Sequence, residues 1–420
     1  GKRMIGGIRE LDIDWVRQQF PGLESGWAFF DNAGGTLPAV NVIDRVSEYM
    51  RRWPVQLGAS YAVSQDATAG LERATRAVAS LMDAGDGSNI DSSQIIWAAS
   101  TSELLQRLAR SISPQLQPGD EIVVTDTDHE ANNSPWRRLA GHGIGVREWR
   151  LNQDTLRLEP DELEPLLNSR TRLVCVTQTS NVLGTILPLR EVTRMVHSSG
   201  ARICVDAVAY APHRLPDVVG SDVDYYTFSL YKVFGPHVAV MYGKRAALAG
   251  LSNINHQFFA DGDLPWSLMP GAYPYELGYA TLGVMDYIEA LSTHHGGTVD
   301  GAPLELAYTL IAGHETRLLA PLLDFLHERR GVTVYGERTA DPELRLPTAS
   351  FAVDGVPSSA IPPQLDPHRI GIRWGDFYAP RLIDALGLRQ RDGVVRVSLA
   401  HYNDAAEIER LIAKLDEILP

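Results

Sequence analysis

Of the 38 basic residues in this chain only four are lysines, and one of them, Lys232, falls inside the apolar run from Tyr225 to Gly243. Burial disfavours the ammonium and lowers its pKa toward neutrality, so an amine in that setting can attack an aldehyde and form an imine. Upstream, Asp206 ends the apolar run Ala201-Arg-Ile-Cys-Val-Asp206, and Ser229 stands three residues before the lysine. A carboxylate at one strand end and Ser-X-X-Lys after the next strand is the layout a pyridoxal phosphate (PLP) site requires: the carboxylate meets the ring nitrogen, the lysine the aldehyde. The competing reading is a lysine whose stem is buried while its head reaches water.

The residues around this pair decide between the two. Ala99-Ser-Thr-Ser-Glu103 follows a strand and opens a helix, so the free amides and hydroxyls of Thr101 and Ser102 converge on one spot that suits a phosphate. Alone, the segment reads equally as a helix cap; with Ser229 and Tyr231 beside Lys232 it becomes a phosphate cup. His129 follows the next strand and can lay its ring against a flat cofactor, or act as a plain capping residue. Asn181 also lies past a strand end, where it can donate to a phenolate oxygen or simply form a turn. Arg396, between valines in a predicted strand, and Arg373, before Trp374, can grip a substrate carboxylate in bidentate fashion; the alternative is a buried structural ion pair.

These side chains need elements to hold them. From Gln94 to Gly243, apolar β-branched runs at Ile95, Glu121, Arg172, Arg202, Tyr225 and Val238 alternate with amphipathic segments, which predicts a mainly parallel sheet wrapped by helices. Ligands bind beyond the carboxyl ends of such strands, where most of the residues above fall. Helices are predicted over 41–52 and 67–83, with the turn-rich loop Trp53 to Tyr61 between them. After about Thr293 a helix over 302–330, strands at 332–335, 348–353, 370–373 and 394–399, and a closing helix over 403–419 predict an α+β domain with an antiparallel sheet. The stretch around Met269-Pro-Gly-Ala-Tyr-Pro274 is expected to join it to the first.

The 420-residue length predicts two domains. A net charge of -14 argues against nucleic acid or an anionic membrane as partner. Cys175 and Cys204, each in a predicted buried strand, point to reduced core thiols. No run reaches the length of a membrane span, and Gly1-Lys-Arg-Met-Ile-Gly-Gly lacks the apolar core of a signal peptide, so a cytoplasmic location is expected. The residues before Met4 read as a tag remnant, and no metal site is expected.

Taken together, Phe29-Phe-Asp-Asn-Ala-Gly-Gly35, Thr179-Ser-Asn-Val-Leu-Gly-Thr185, Val205-Asp-Ala-Val-Ala209, Phe228-Ser-Leu-Tyr-Lys-Val-Phe-Gly-Pro236 and Arg396-Val-Ser-Leu-Ala-His-Tyr-Asn403 resemble the class V aminotransferase family of fold-type I PLP enzymes, in its cysteine desulfurase-like branch. The resemblance implies an α/β fold: a large domain over 26–290 with a mainly parallel seven-stranded sheet, a small α+β domain over 291–420, and an N-terminal segment over 1–25 packing near the latter. It implies PLP as cofactor, Lys232 as its Schiff-base lysine, Asp206 on the pyridine nitrogen, His129 stacked on the ring, Asn181 at the phenolic oxygen, and Thr101, Ser102 and Ser229 at the phosphate. Arg396, and more weakly Arg373, would hold the substrate carboxylate. The family's usual homodimer would place the segment Tyr275 to Thr281, with Tyr279, near the partner's site.

The departures bear on the reaction. A desulfurase of this branch carries a persulfide-forming cysteine in the loop that is Arg373-Trp-Gly-Asp-Phe-Tyr-Ala379 here, without a cysteine. No thiolate can accept sulfur from that loop. The position that usually offers the cofactor a polar contact is Ala209, and the residue before the lysine is Tyr231; both alter proton handling near the ring. With freed Lys232 as general base and His129 assisting, loss of the Cα proton of a bound amino acid is followed most simply by loss of a β-substituent. The expected activity is β-elimination, a C–S lyase acting on cysteine, cystine or a cysteine conjugate. The alternatives are side-chain decarboxylation with C–C bond formation, epimerisation, and transamination. His256 and Tyr378, in loops that could face the substrate, are candidate contacts, with ordinary loop packing as the other reading.

Overall fold

The computed structural model describes residues 4–5, 8–84, 87–298 and 301–420, so the suggested tag remnant at 1–3 lies outside the described residues. Seven strands form the central sheet: β1 (Ile95–Ala98), β2 (Glu121–Thr125), β3 (Gly145–Trp149), β4 (Thr171–Thr177), β5 (Arg202–Asp206), β6 (Tyr225–Ser229) and β7 (Ala239–Gly243), in the order β1-β7-β6-β5-β4-β2-β3. All neighbours run parallel except the two pairs made by β7. β6 and β7 are buried at every position, which is why they read as continuous apolar runs: helices cover both faces. The strand absent from the sequence expectation is β3. It lies at the sheet edge and carries Arg147 and Glu148, so charge dilutes its apolar pattern.

Helix α1 (Val40–Arg52) and helix α2 (Ala62–Met82), five residues longer at its start than expected, pack against a helix the sequence reading did not mark, α5 (Tyr275–His294). Between them in the chain come α3 (Thr101–Ile112) and α4 (Leu189–Ser198). Because Tyr287, Ile288 and Leu291 of α5 belong to the large core, the Pro/Gly stretch at 269–274 leads into that core and is not the joint between domains.

The second sheet contains β8 (Val332–Tyr335), β9 (Thr348–Val353), β10 (Arg373–Gly375) and β11 (Val394–Ser398), antiparallel throughout in the order β8-β9-β11-β10. The strand expected over 370–373 is divided: Ile370–Gly371 pairs with Ala28–Phe29, and only Arg373 continues into β10. Helices α6 (Pro303–Glu328) and α7 (Ala405–Ile418) complete this domain. The two cores do not part at one point of the chain. Val16 and Phe20 belong to the large core, Ala28 and Phe30 to the small one, and α6 serves both, with Leu304 to Ile311 in the first and Leu318 to Leu326 in the second. The N-terminal segment also reaches the C-terminal part of the chain, where the Arg17 guanidinium donates to the Tyr402 carbonyl (2.7 Å) and Glu407 (3.0 Å). Cys175 and Cys204 are free, buried neighbours on β4 and β5, and burial pushes the Cys175 thiol up.

Candidate active site

The carboxyl ends of β5 and β6 and the N-terminus of α3 meet around a cavity of about 470 Å³ lined by Thr101, Ser102, His129, Asn181, Asp206, Ala209, Ser229, Tyr231 and Lys232, among others. Nine of the sequence-predicted residues therefore share one wall. Lys232 ends the single turn that follows β6. That turn closes because Gly235 donates to the Leu230 carbonyl; a Cβ on Gly235 would stand 2.7 Å from that same oxygen. Dense surroundings and the nearby Arg396 guanidinium lower the Lys232 pKa to about 8. Asp206 is 4% exposed; one carboxylate oxygen accepts from the Val208 amide (2.9 Å), and burial raises its pKa. At the first turn of α3, the Thr101 and Ser229 hydroxyls are 2.8 Å apart and the Thr101 amide points at Ser229 (3.3 Å). The Ser100 hydroxyl caps the helix by accepting from Glu103.

His129 Nδ1 accepts from the Ala131 amide (3.0 Å), and burial lowers its pKa to about 4, so the ring is neutral. Beneath it, Asp128 is fully buried, accepts from Thr125 and from Asn132 (2.9 Å), and is pushed up to about 7, chiefly by burial. Asn181 is held where the chain turns at Gly184 (φ 72°), whose missing Cβ admits the Thr348 and Leu346 carbonyls at 3.0 and 3.2 Å. Its side-chain amide donates to the Phe377 carbonyl (2.9 Å), so part of the capacity expected for a phenolic oxygen is engaged with the neighbouring loop.

That loop closes a second, adjoining cavity of about 730 Å³ lined by His129, Lys232, Arg373, Tyr378 and Arg396 among others. Antiparallel pairing sets Arg373 directly opposite Arg396, a like-charge arrangement that repels unless a carboxylate intervenes. Asp31 supplies it, accepting from Arg396 (3.0 Å) and forming an ion pair with Arg373 (3.0 Å). Arg396 is 2% exposed, lies 3.8 Å over the Phe377 ring, donates to the Asn181 carbonyl (3.2 Å), and keeps Nε without a partner; burial lowers its pKa to about 10. The two readings offered for these arginines thus coexist: an ion pair holds them, and both line the cavity. Tyr378 stacks on His129 with ring centroids 5.3 Å apart. Phe377 and Tyr378 have φ of 53° and 59°, a strained pair of non-glycine residues fixed by Asn181 and by the Glu130 amide, which donates to the Tyr378 carbonyl (2.7 Å).

Two predicted residues stand apart. His256 is exposed, packs near Phe258, and lines neither cavity. Tyr279, in the segment expected near a partner's site, is fully buried within its own chain, its hydroxyl donating to Glu48 (2.8 Å) and accepting from Arg45 (3.0 Å). Asp31 and Asp128 escaped the sequence reading; a carboxylate beside the glycine pair Gly34-Gly35, and one directly before His129, were the available signals.

The donor set fits PLP. The buried Asp206 faces a well that also contains a lysine amine and a helix N-terminus with hydroxyls, and the buried Thr179 hydroxyl on the well's wall has no hydrogen-bond partner. The family model for class V aminotransferases matches residues 28–257 and 304–411. The chain is 39% identical to the aminotransferase-like protein FGM3 of Gibberella zeae (97% of this chain, 99% of that protein). It is 33% identical to the cysteine desulfurase-like protein ustD of Aspergillus flavus (97% and 91%). The crystal structure of the cysteine desulfurase CsdA from Escherichia coli superposes with a TM-score of 0.81 at 27% identity, covering 97% of this chain and 99% of that one. The chain belongs to the class V aminotransferase family, with the fold of a fold-type I PLP enzyme. PLP is its cofactor.

Proposed function

We propose that this enzyme breaks a side-chain bond of an α-amino acid without handing sulfur to the protein. The observation that carries this reading is the pocket itself: a half-buried lysine, two arginines that can clamp a carboxylate, and a loop over the mouth, Arg373 to Ala379, that contains no cysteine. Bound PLP supplies an electron sink at Cα of an attached amino acid. Lys232 holds the cofactor aldehyde in the resting enzyme and, once displaced, takes the Cα proton; its pKa near 8 suits a base working close to neutrality. Asp206 meets the ring nitrogen as a carboxylate, Thr101, Ser102 and Ser229 receive the phosphate, Asn181 the phenolic oxygen, and Tyr231 and Ala209 complete the walls. His129, neutral and held through Nδ1, lies flat as a platform. Arg396 binds the α-carboxylate, and Tyr378 shields the outer side.

β-Elimination from cysteine, cystine or a cysteine conjugate follows from this set with the fewest groups. One observation favours the second route, side-chain decarboxylation with C–C bond formation: Arg373, its side chain 61% exposed at the mouth and held by Asp31, puts a second guanidinium where an acidic side chain would lie. The relatives FGM3 and ustD carry names other than plain desulfurase, in keeping with either route. A homodimer is part of the proposal, supported by Ile43, Met50, Tyr61 and Val63 exposed along α1 and the start of α2. The test is absorbance of the PLP-loaded enzyme against a panel of amino acids with assays for pyruvate, carbon dioxide and sulfide. Pyruvate from cysteine or a conjugate supports elimination; carbon dioxide from an acidic amino acid, with capture of an added aldehyde, supports the second route. A spectrum unmoved by any amino acid refutes both.

A further inference from the structure

Beside Lys232 lies a narrow cavity bounded by Asn32, Thr179, Ala209, His213, Lys232 and Thr348, among others. Its narrowness leaves room for on the order of one water. His213 is 6% exposed and its Nδ1 lies 2.5 Å from Glu315, which is 1% exposed and comes from α6. The other ring nitrogen, Nε2, makes no hydrogen bond among the described residues, and the residue lines the cavity. A carboxylate on Nδ1 fixes the tautomer in which Nδ1 carries the proton and Nε2 is a free acceptor, the arrangement by which a carboxylate orients an imidazole base. Two further atoms are buried without partners: the Thr179 hydroxyl on the cavity wall, and the second carboxylate oxygen of Glu315. A water held by Thr179, His213 and Lys232 would satisfy the first; positive charge on the imidazole would compensate the second. Ala209, whose side chain ends at Cβ, lines both this cavity and the cofactor well.

We infer that His213, oriented by Glu315, receives through one water the proton that Lys232 takes from substrate, across the cavity that both residues line. This rests on Lys232 being the base. In the step, an N–H bond of the Lys232 ammonium breaks as the water gains that proton, and an O–H bond of the water breaks as His213 Nε2 gains one. The imidazolium then sits between the water and the Glu315 carboxylate, and reversal restores the start without any co-reactant. His213 is a relay and positioning residue: it acts through Lys232 and the water. The competing role is mechanical, a buried pair fastening α6 to the large domain.

The test compares the PLP-loaded enzyme with its His213→Phe, Thr348→Leu and Glu315→Gln variants. Three readouts are taken: exchange of the substrate Cα hydrogen with deuterated solvent, the isotope effect on turnover of Cα-deuterated substrate, and melting temperature with the cofactor absorbance. A crystal structure of the cofactor-free protein adds a readout independent of turnover. The relay requires a water between His213 Nε2 and Lys232 Nζ in that crystal. It also requires exchange slowed at least about 10-fold in His213→Phe and in Thr348→Leu, with a smaller isotope effect and an unchanged absorbance band. Exchange within about twofold of the parent in both variants, or a cavity that holds no water, overturns it. If His213→Phe and Glu315→Gln melt at much lower temperature, Thr348→Leu, which fills the cavity, leaves the pair intact and lies outside the cofactor well, decides: normal exchange in that variant assigns the pair to fastening alone. A parent enzyme that exchanges no amino acid refutes Lys232 as base and the relay with it, whereas normal exchange insensitive to all three substitutions refutes only the relay.

Discussion

Replacing Lys232 by methionine should stabilise the cofactor-free protein. The lysine pKa falls from 10.5 to about 8 in the fold, mainly because burial and the facing Arg396 disfavour its charge. At roughly 1.4 kcal/mol per pK unit this depression corresponds to about 3 kcal/mol. Below pH 8 the amine is protonated in both folded and unfolded chains, so the full penalty applies at neutral pH. Between pH 8 and 10.5 the unfolded chain binds one more proton than the folded chain, so stability of the parent rises with pH through that window. Above 10.5 both forms are neutral and the penalty is gone. Methionine has nearly the same shape and no charge, so Lys232→Met should be more stable by about 3 kcal/mol at pH 7, with the margin shrinking toward pH 10. Urea denaturation of both cofactor-free proteins at pH 7, 8, 9 and 9.5 measures it. A variant less stable than the parent at pH 7, or a margin that does not change from pH 7 to 9.5, would refute the claim that the fold holds this amine against its preference for water.

Arg396→Ala should weaken amino-acid binding while leaving the absorbance of the PLP-loaded enzyme unchanged; an altered resting spectrum would instead assign the guanidinium to holding the site together. Arg373→Ala should lower the affinity for amino acids with acidic side chains more than for cysteine, and equal loss for both would remove Arg373 from recognition. Asp31→Asn leaves the buried Arg396 without its anion and should cost about 2 kcal/mol, less than a fully buried pair because Asp31 is 27% exposed on its side chain; thermal unfolding reads the loss. His129, with its pKa lowered from 6.5 to about 4, stays neutral in the fold while the unfolded ring gains a proton, so stability should fall as pH drops from 6.5 toward 4. His129→Gln should flatten that slope, and an unchanged slope would locate the acid sensitivity elsewhere.

The central sheet was legible because β6 and β7 are buried at every position and β4 and β5 are buried beyond an arginine near their starts, while β3 was missed because an edge strand is free to carry Arg147 and Glu148. Lys232, Asp206, Thr101, Ser102, His129, Asn181 and Ser229 were legible for a different reason: each ends or follows a strand or opens a helix, so local order placed it at the same end of the sheet. Asp31 was not, because its role depends on β10 lying beside β11, a pairing between distant segments that sets two arginines opposite each other. His213 and Glu315 were hidden by the same cause, since 102 residues separate them in the chain. His256 shows the converse limit: a polar loop rich in turn residues has no local feature that says which way it faces.

Helix α6 is buried in the large core along Leu304 to Ile311 and in the small core along Leu318 to Leu326. A rod gripped at both ends transmits torque. Any tilt of the small domain that brings Arg373, Arg396 and the Tyr378 loop over the mouth must either twist this rod at the short stretch between its two grips or drag the far core with it. His314 and Glu315 occupy that stretch. Substrate capture and the packing behind Lys232 are therefore mechanically one variable, and heat or denaturant should melt both domains in a single transition, because neither half of the helix can be released without exposing the apolar face of the other.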